Sequence, residues 1–141
     1  MKLSRVQSIV ILILAFMNTI PQKILTRKHE ITTEFLDLLD QHIEDIVNGR
    51  TNYIFKTKDF AEQLSLNAGH FSNVIKLVTK RSPVDLLEER LVGEAEIMLN
   101  ETDLTIAEIA NKLTFQDPKT FEKLFERVSG KQPLSVGVLK C

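Results

Sequence analysis

The stretch of sequence that decides the fold is TIAEIANKLTFQDPKTFEKLFERVSGKQP, residues 105–133. Its first half places apolar side chains at positions i, i+3, i+4 and i+7, which form one stripe along a helix: Ile106, Ile109, Ala110 and Leu113. Its second half repeats this spacing with Phe121, Leu124, Phe125 and Val128. Between the stripes, Asp117 is a favourable N-cap and Pro118 suits the first helical turn, while Gly130 suits the C-cap. The stretch therefore predicts two short helices joined by a turn, as in a helix-turn-helix.

The same pattern occurs fifty positions earlier, so the sequence contains an internal repeat. Residues 71–83 align without a gap on residues 121–133. The repeat keeps the apolar positions and the terminating proline, namely Phe71/Phe121, Val74/Leu124, Ile75/Phe125, Val78/Val128 and Pro83/Pro133. Upstream, residues 60–64 match residues 109–113 at a spacing of forty-nine, so the second turn is one residue longer. Two repeats are too few for a solenoid, and we expect a pair of helix-turn-helix units.

From about residue 59 to residue 136, the sequence resembles the DNA-binding domain of the AraC/XylS family of bacterial transcription regulators. The residues that carry the resemblance are Arg90, Ala95, Leu99, the run Thr105-Ile106-Ala107-Glu108-Ile109-Ala110, Phe115, Asp117, Phe121, Phe125, Gly130 and Pro133. The longer second turn is also a trait of that family. The resemblance implies an all-α fold of two helix-turn-helix subdomains joined by a linker helix, each a homeodomain-like three-helix unit.

This resemblance divides the chain into three parts. Residues 1–30 are interpreted as an apolar N-terminal segment followed by a polar linker over 22–30. Residues 31–136 form the DNA-binding domain, with a first unit at 31–83, a linker helix at 84–100 and a second unit at 101–136. Residues 137–141 are a tail, part of a frayed end that we expect from residue 134.

Within the first unit, the pattern predicts helices over 58–64 and 68–79. A leading helix precedes them, and Thr32 or Thr33 is its expected N-cap. Its apolar face consists of Phe35, Leu38, Leu39, His42, Ile43 and Ile46, and it is expected to pack beneath the first helix-turn-helix. We interpret His42 as a residue at the boundary of that face.

The charge balance bears on the choice of partner. The 141 residues include 18 basic and 19 acidic side chains, a formal net charge of −1. Domains that bind duplex DNA are usually more basic, because neutralising phosphates supplies much of the affinity. Seven acidic residues lie on or just after the predicted linker helix, where we expect them to face solvent away from DNA: Asp85, Glu88, Glu89, Glu94, Glu96, Glu101 and Asp103. Without these seven, the region from Arg50 to Cys141 has clearly more basic than acidic side chains.

Enzyme and metal chemistry find no support in the sequence. Cys141 is the single cysteine, which excludes an intrachain disulfide, and the three histidines are scattered. There is no glycine-rich phosphate loop, no histidine-rich metal motif and no nucleophile–base pair. We therefore expect a protein that is not an enzyme and has neither cofactor nor metal, and that works in the cytoplasm.

Residues 6–20 form an apolar run that follows Lys2 and Arg5. The run resembles the first parts of a secretory signal, but it lacks a small-x-small cleavage site. It is also shorter than the roughly 20 apolar residues of a membrane span. We favour a buried or self-associating helix, or the remnant of a larger sensor. The alternative is a membrane anchor that leaves the DNA-binding domain in the cytoplasm.

The faces opposite the two apolar stripes are the candidate DNA-binding surface. The first helix-turn-helix offers Asn67, His70, Asn73 and Lys76, and the second offers Gln116, Lys119, Thr120, Lys123 and Arg127. Such side chains hydrogen-bond to base edges, and Lys and Arg also anchor phosphates. The resemblance implies double-stranded DNA as the partner, with RNA polymerase as a further one. The competing hypothesis is a degenerate helix-turn-helix module that acts through protein–protein contacts, including one at the cytoplasmic end of a membrane-anchored regulator.

The same surface also departs from the family pattern. Asn73 stands where the family usually has Arg, and Lys80 and Thr114 stand at positions that are commonly Gly. Lys123 replaces a usual Arg and so lacks the planar fork for bidentate guanine recognition. Glu126 occupies a usually basic position. These departures bear on DNA affinity more than on the fold.

Overall fold

A computed structural model describes residues 5–16 and 22–130 of the chain, and all the regular structure in those ranges is α-helical. The helices are α1 (Arg5–Phe16), α2 (Gln22–Val47), α3 (Thr57–Gln63), α4 (Ala68–Thr79), α5 (Pro83–Glu101), α6 (Ile106–Lys112) and α7 (Pro118–Ser129). The predicted all-α class is confirmed. The frayed end expected at 134–141 and the repeated proline, Pro133, lie outside the described residues.

The helices of the two repeats begin and end close to where the sequence places them. Helix α4 has the predicted bounds, and the linker helix α5 is one residue longer than predicted at each end. Helix α7 starts at Pro118 after the N-cap Asp117 and ends before the C-cap Gly130. These agreements arise because the caps and the apolar stripes act locally.

The polar linker predicted over residues 22–30 is wrong. Those residues form the first part of α2, which continues without a break to Val47. The sequence has neither Gly nor Pro between 22 and 47, so nothing stops a helix that starts after Pro21. Polar residues there belong to the helix and do not mark a loop.

The N-cap predicted at Thr32 or Thr33 is also wrong, since both residues lie inside α2 and are buried. The Thr32 hydroxyl donates to the backbone carbonyl of Lys28 at 2.9 Å, one turn earlier. This bond satisfies the hydroxyl within the helix, so that a typical capping residue is accommodated in its interior.

The chain divides into two compact units. Unit 1 comprises Met1–Gln41 and Phe55–Val84, and unit 2 comprises His42–Ile54 and Asp85–Cys141. Each unit contains one helix-turn-helix, α3–α4 in unit 1 and α6–α7 in unit 2.

The core of unit 1 is centred on Phe35 of α2. Its ring meets the ring of Phe60 edge-on at 5.2 Å and that of Phe71 at 5.0 Å, and all three side chains are fully buried. Edge-to-face packing is a favoured geometry for aromatic pairs. The leading helix thus supports the first helix-turn-helix, as predicted.

The core of unit 2 is built from α5, α6 and α7. Phe121 of α7 lies 5.6 Å from Phe115 and 6.0 Å from Phe125 between ring centroids. Helix α5 contributes the buried side chains Leu87, Leu91, Val92, Ala95, Met98 and Leu99. His42, interpreted from the sequence as a boundary residue, is 4% exposed and belongs to the interior.

Helix α1 lies at the surface of unit 1. Gln7 donates to a carboxylate oxygen of Asp37 on α2 at 3.4 Å. The exposed large apolar side chains of α1 are Ile9, Ile11, Leu12 and Ile13. Within residues 5–16 and 22–130, no helix combines the length and apolar character that crossing a bilayer requires.

Candidate nucleic-acid interface

The turns of the two helix-turn-helix units share one hydrogen-bonded arrangement. In unit 1, the N–H of Leu66 donates to the carbonyl of Ala61 at 2.8 Å, and that of Ser65 to Glu62 at 3.0 Å. In unit 2, Phe115 donates to Ala110 at 2.8 Å and Thr114 to Asn111 at 3.0 Å. Both pairs form the Schellman motif that ends a helix, with an apolar residue two positions after the C-cap. The sequence repeat is therefore also a repeat of backbone conformation.

The Schellman motif requires a left-handed residue just after the C-cap, and glycine is usual there. Here the residues are Ser65 with φ of 56° and Thr114 with φ of 71°. Thr114 is the position where the family commonly has glycine, and the structure explains that preference by the backbone conformation. A β-branched residue is strained in this region. Among the described residues the Thr114 hydroxyl is buried and finds no hydrogen-bond partner.

The start of each recognition helix is fixed by a side-chain cap. The N–H groups of Gly69 and His70 donate to Oδ1 of Asn67 at 2.8 and 3.1 Å. At the equivalent place, the N–H of Lys119 donates to Oδ1 of Asp117 at 3.1 Å. Asn67 was predicted as a DNA-binding residue, and the structure gives it this capping function as well.

All nine predicted site residues are exposed, and each unit brings its own set together. On α4 the side chains of Phe71, Val74 and Ile75 are buried, while His70, Asn73 and Lys76 lie on the opposite, solvent-facing side together with the cap Asn67. On and just before α7 the same division leaves exposed Gln116, Lys119, Thr120, Lys123 and Arg127. Each recognition helix therefore has an exposed polar face opposite the apolar face that packs in the core of its unit.

The exposed face of α7 carries charges of both signs. Lys119 and Lys123 are four residues apart and lie on the same side of the helix. Glu122 and Glu126 are also exposed and reduce the positive potential around these lysines. Glu126, which differs from the usual basic residue of the family, therefore lies on the candidate DNA-binding surface.

Arg127 is held by an ion pair with α5 inside unit 2. Its Nη2 atom lies 2.7 Å from Oε2 of Glu88. The Arg127 side chain is 63% exposed and that of Glu88 is 20% exposed. This hydrogen bond raises the pKa of Arg127 still further, and Asp85 adds a weaker electrostatic attraction. Glu88 was expected to face solvent away from DNA; it instead lies against a predicted DNA-binding residue.

The first helix of each helix-turn-helix carries candidate phosphate ligands that were not among the residues predicted from the sequence. In this motif the first helix crosses the DNA backbone. Lys58 of α3 and Lys112 of α6 are exposed cations on those helices. The signal that could have found them is the presence of lysine on a helix whose apolar residues already define a buried side.

Helix-turn-helix units are DNA-binding motifs, and residues 57–129 contain two of them. A family model described as a helix-turn-helix domain matches residues 60–136, more than half of the chain. The chain belongs to the AraC-type helix-turn-helix family. This confirms the family to which the repeated motif pointed.

Two curated relatives match part of this chain. The Msm operon regulatory protein of Streptococcus mutans is 24% identical over 91 residues, which cover 64% of this chain and 33% of that protein. Histidine kinase P4 of Formosa agariphila is 26% identical over 106 residues, which cover 74% of this chain and 8% of that protein. The chain thus spans a third or less of the relatives that it matches.

Solved structures share the fold. The DNA-binding domain of the global transcriptional factor AdpA, solved in complex with a target DNA, matches with a TM-score of 0.58. The match covers 70% of this chain and 91% of that one, at 19% identity. The two helix-turn-helix architecture is therefore that of known domains.

Proposed function

We propose that this chain is a sequence-specific DNA-binding transcription regulator that inserts α4 and α7 into two successive major grooves of double-stranded DNA. The observation that carries the proposal is the repeated division of these helices into a buried apolar face and an exposed polar face. The repeat extends to the turns and the caps, so the two helices are presented by the same local construction. The AdpA domain, with the same fold, was solved bound to DNA.

The length of the linker helix supports the proposal that the protein contacts two successive grooves. Helix α5 has 19 residues, which corresponds to a length of about 28 Å at about 1.5 Å per residue. Successive major grooves on one face of DNA are separated by about 34 Å. A rigid helix of this length is a suitable spacer between two recognition helices.

The roles of the exposed residues follow from their positions along each helix. Helix-turn-helix proteins contact bases mainly with the N-terminal part of the recognition helix. We assign base contacts to Asn67, His70 and Asn73 in unit 1, and to Gln116, Lys119 and Thr120 in unit 2. Lys76, Lys123 and Arg127 lie one or more turns later. We assign Lys76 and Lys123 to the phosphate backbone, and Arg127 to the same role once it is released from Glu88.

Replacing the two lysines of α7 tests this assignment. A binding site is first selected from random duplexes with the full chain. Lys123→Ala should then weaken specific and random duplexes alike and reduce the salt slope by about 0.9, the value for one lost phosphate contact. Lys119→Ala should cost about 1–3 kcal/mol, mainly on the selected site.

Lys28→Ala is the matched control, since it removes the same charge from α2, which is not a recognition helix. Titrations at several salt concentrations measure all three variants. If both α7 lysines can be removed with no more effect than Lys28, then α7 does not lie in the groove.

We place this activity in the cytoplasm, where DNA is accessible, with RNA polymerase as a further partner of a regulator bound at a promoter.

We also propose that residues 6–20 mediate self-association, because Ile9 and Leu12 of α1 present at least half of their surface to solvent. Exposed apolar patches commonly mark interaction sites. Leu12→Lys should lower the average mass in sedimentation experiments. An unchanged mass would oppose this part of the proposal, and vesicle binding lost in that variant would favour a membrane contact.

A second candidate function is a helix-turn-helix module that acts through protein contacts within a larger regulator. The match to a segment of Histidine kinase P4 that is only 8% of that protein favours it, as do the carboxylates on α7. A folded protein that binds no duplex at low salt, yet captures a partner after nuclease treatment, would support this candidate over DNA binding.

A further inference from the structure

Within unit 2, Arg127 is the last cation of a row along the recognition helix. Lys119, Lys123 and Arg127 follow one another at intervals of four residues on α7, and side chains so spaced lie on one side of a helix. The two lysines have no ion pair described within residues 5–16 and 22–130, whereas Arg127 is paired with Glu88. The row therefore contains one cation that is already neutralised.

The contact between Arg127 and Glu88 has the form that a phosphate contact would take. A guanidinium N–H points to a carboxylate oxygen at 2.7 Å, a short charge-assisted hydrogen bond. Guanidinium groups bind carboxylate and phosphate oxygens with the same donors. Because the Arg127 side chain is mostly exposed, solvent weakens this pair, and a DNA phosphate can compete for the arginine.

We propose that Glu88 acts as an intramolecular substitute for a DNA phosphate, which withholds Arg127 from the duplex and lowers affinity for DNA of any sequence. Specific sites are then bound through base contacts made by residues nearer the start of α7, while Arg127 does not contact a phosphate. Glu88 is thus a positioning residue that sets the balance between specific and non-specific binding. This inference rests on the proposed DNA-binding function.

Glu88→Gln in the full chain tests the inference, with a fluorescein-labelled duplex of random sequence as the probe. The substitution keeps the shape of the side chain and removes the negative charge that pairs with Arg127. Affinity should rise about five- to tenfold at about 0.1 M salt, and the salt slope should steepen by about 0.9, since one phosphate contact is gained. Asp85 still attracts Arg127 in this variant, so the smaller end of this range is expected.

Two further variants separate release of Arg127 from a general change of charge. Glu94→Gln removes the same charge six residues further along α5, at a side chain with no ion pair described in residues 5–16 and 22–130. It should leave the slope unchanged. Adding Arg127→Gln to Glu88→Gln should abolish the gain. Circular dichroism and thermal unfolding verify that each variant is folded, and Glu88→Ala must show the same gain as Glu88→Gln.

The outcomes are distinct. Equal gains for Glu88→Gln and Glu94→Gln, or a gain that survives removal of Arg127, would overturn the inference, because net charge would explain it. A loss of affinity in Glu88→Gln would also overturn it, since the pair would then aim Arg127 at DNA. If the unaltered protein binds no duplex at low salt, the proposed function itself fails.

Discussion

Left-handed backbone at non-glycine residues costs conformational free energy at three positions of the described residues. Ser65, Lys80 and Thr114 all have φ between 56° and 71°, a conformation that L-residues with a Cβ adopt at a cost of roughly 1–2 kcal/mol. Lys80 and Thr114 are the two positions where the family pattern predicts glycine. The sequence comparison identified these departures, but only the backbone shows why glycine is preferred there.

Thr114→Gly should stabilise the protein by about 1 kcal/mol. The substitution relieves the left-handed strain and removes a buried hydroxyl without a described partner, while the greater flexibility of glycine in the unfolded chain offsets part of the gain. Chemical denaturation measures the difference.

Gly130→Ala is the reciprocal control. Gly130 has φ of 73°, and a Cβ placed there meets nothing within 4 Å. Its replacement should therefore cost about 1 kcal/mol from conformation alone. A Thr114→Gly variant that is less stable than the unaltered protein would contradict this prediction. It would show that the Thr114 hydroxyl or methyl group stabilises the protein by more than the left-handed backbone destabilises it.

Helices with local start and stop signals were predictable from the sequence. The start of α2 was not, because it is set only by the lack of a helix breaker. Helix α7 has an N-cap, a proline in its first turn, an apolar stripe and a C-terminal glycine, and each feature lies where the sequence analysis placed it. The start of α2 was missed because threonine is a common cap and polar residues are common in loops. The absence of any helix breaker after Pro21 was the better signal.

At the scale of one element, Phe121 is expected to anchor α7. Its side chain is 1% exposed and contacts the rings of Phe115 and Phe125. Phe121→Ala should therefore lower the free energy of unfolding by about 3–5 kcal/mol, through lost transfer energy and the cavity left behind.

The neighbouring exposed residue provides the control. Glu122→Ala should change stability by no more than about 0.5 kcal/mol, because its side chain points to solvent. Both variants are measured by denaturant titration. A loss below about 1 kcal/mol for Phe121→Ala would contradict the packing of unit 2.

For the whole molecule, the distribution of charge matters more than its sum. The formal net charge of −1 is unusual for a DNA-binding protein, yet all nine candidate residues are exposed on or beside two helices. The sequence identified this polar surface through the repeat. It could not show that Glu88 pairs with Arg127, since the two residues are 39 positions apart and no sequence pattern links them.

The capping function of Asn67 is local, and it was missed for a different reason. The sequence placed this residue in the turn, and a residue type that suits base contacts also suits an N-cap. The hydrogen bonds from the N–H groups of Gly69 and His70 establish the capping function. Local patterns thus identified the helices and the candidate surface, whereas contacts between elements required the structure.

The central claim is that two recognition helices contact two successive major grooves. Hydroxyl-radical footprinting of the full chain on a selected duplex tests it most directly. We predict two protected patches on one face of the DNA, about one helical turn, or about 10 base pairs, apart. His70→Ala together with Asn73→Ala should weaken one patch, and Lys119→Ala should weaken the other. A single short patch, lost entirely on changing either helix, would contradict the claim.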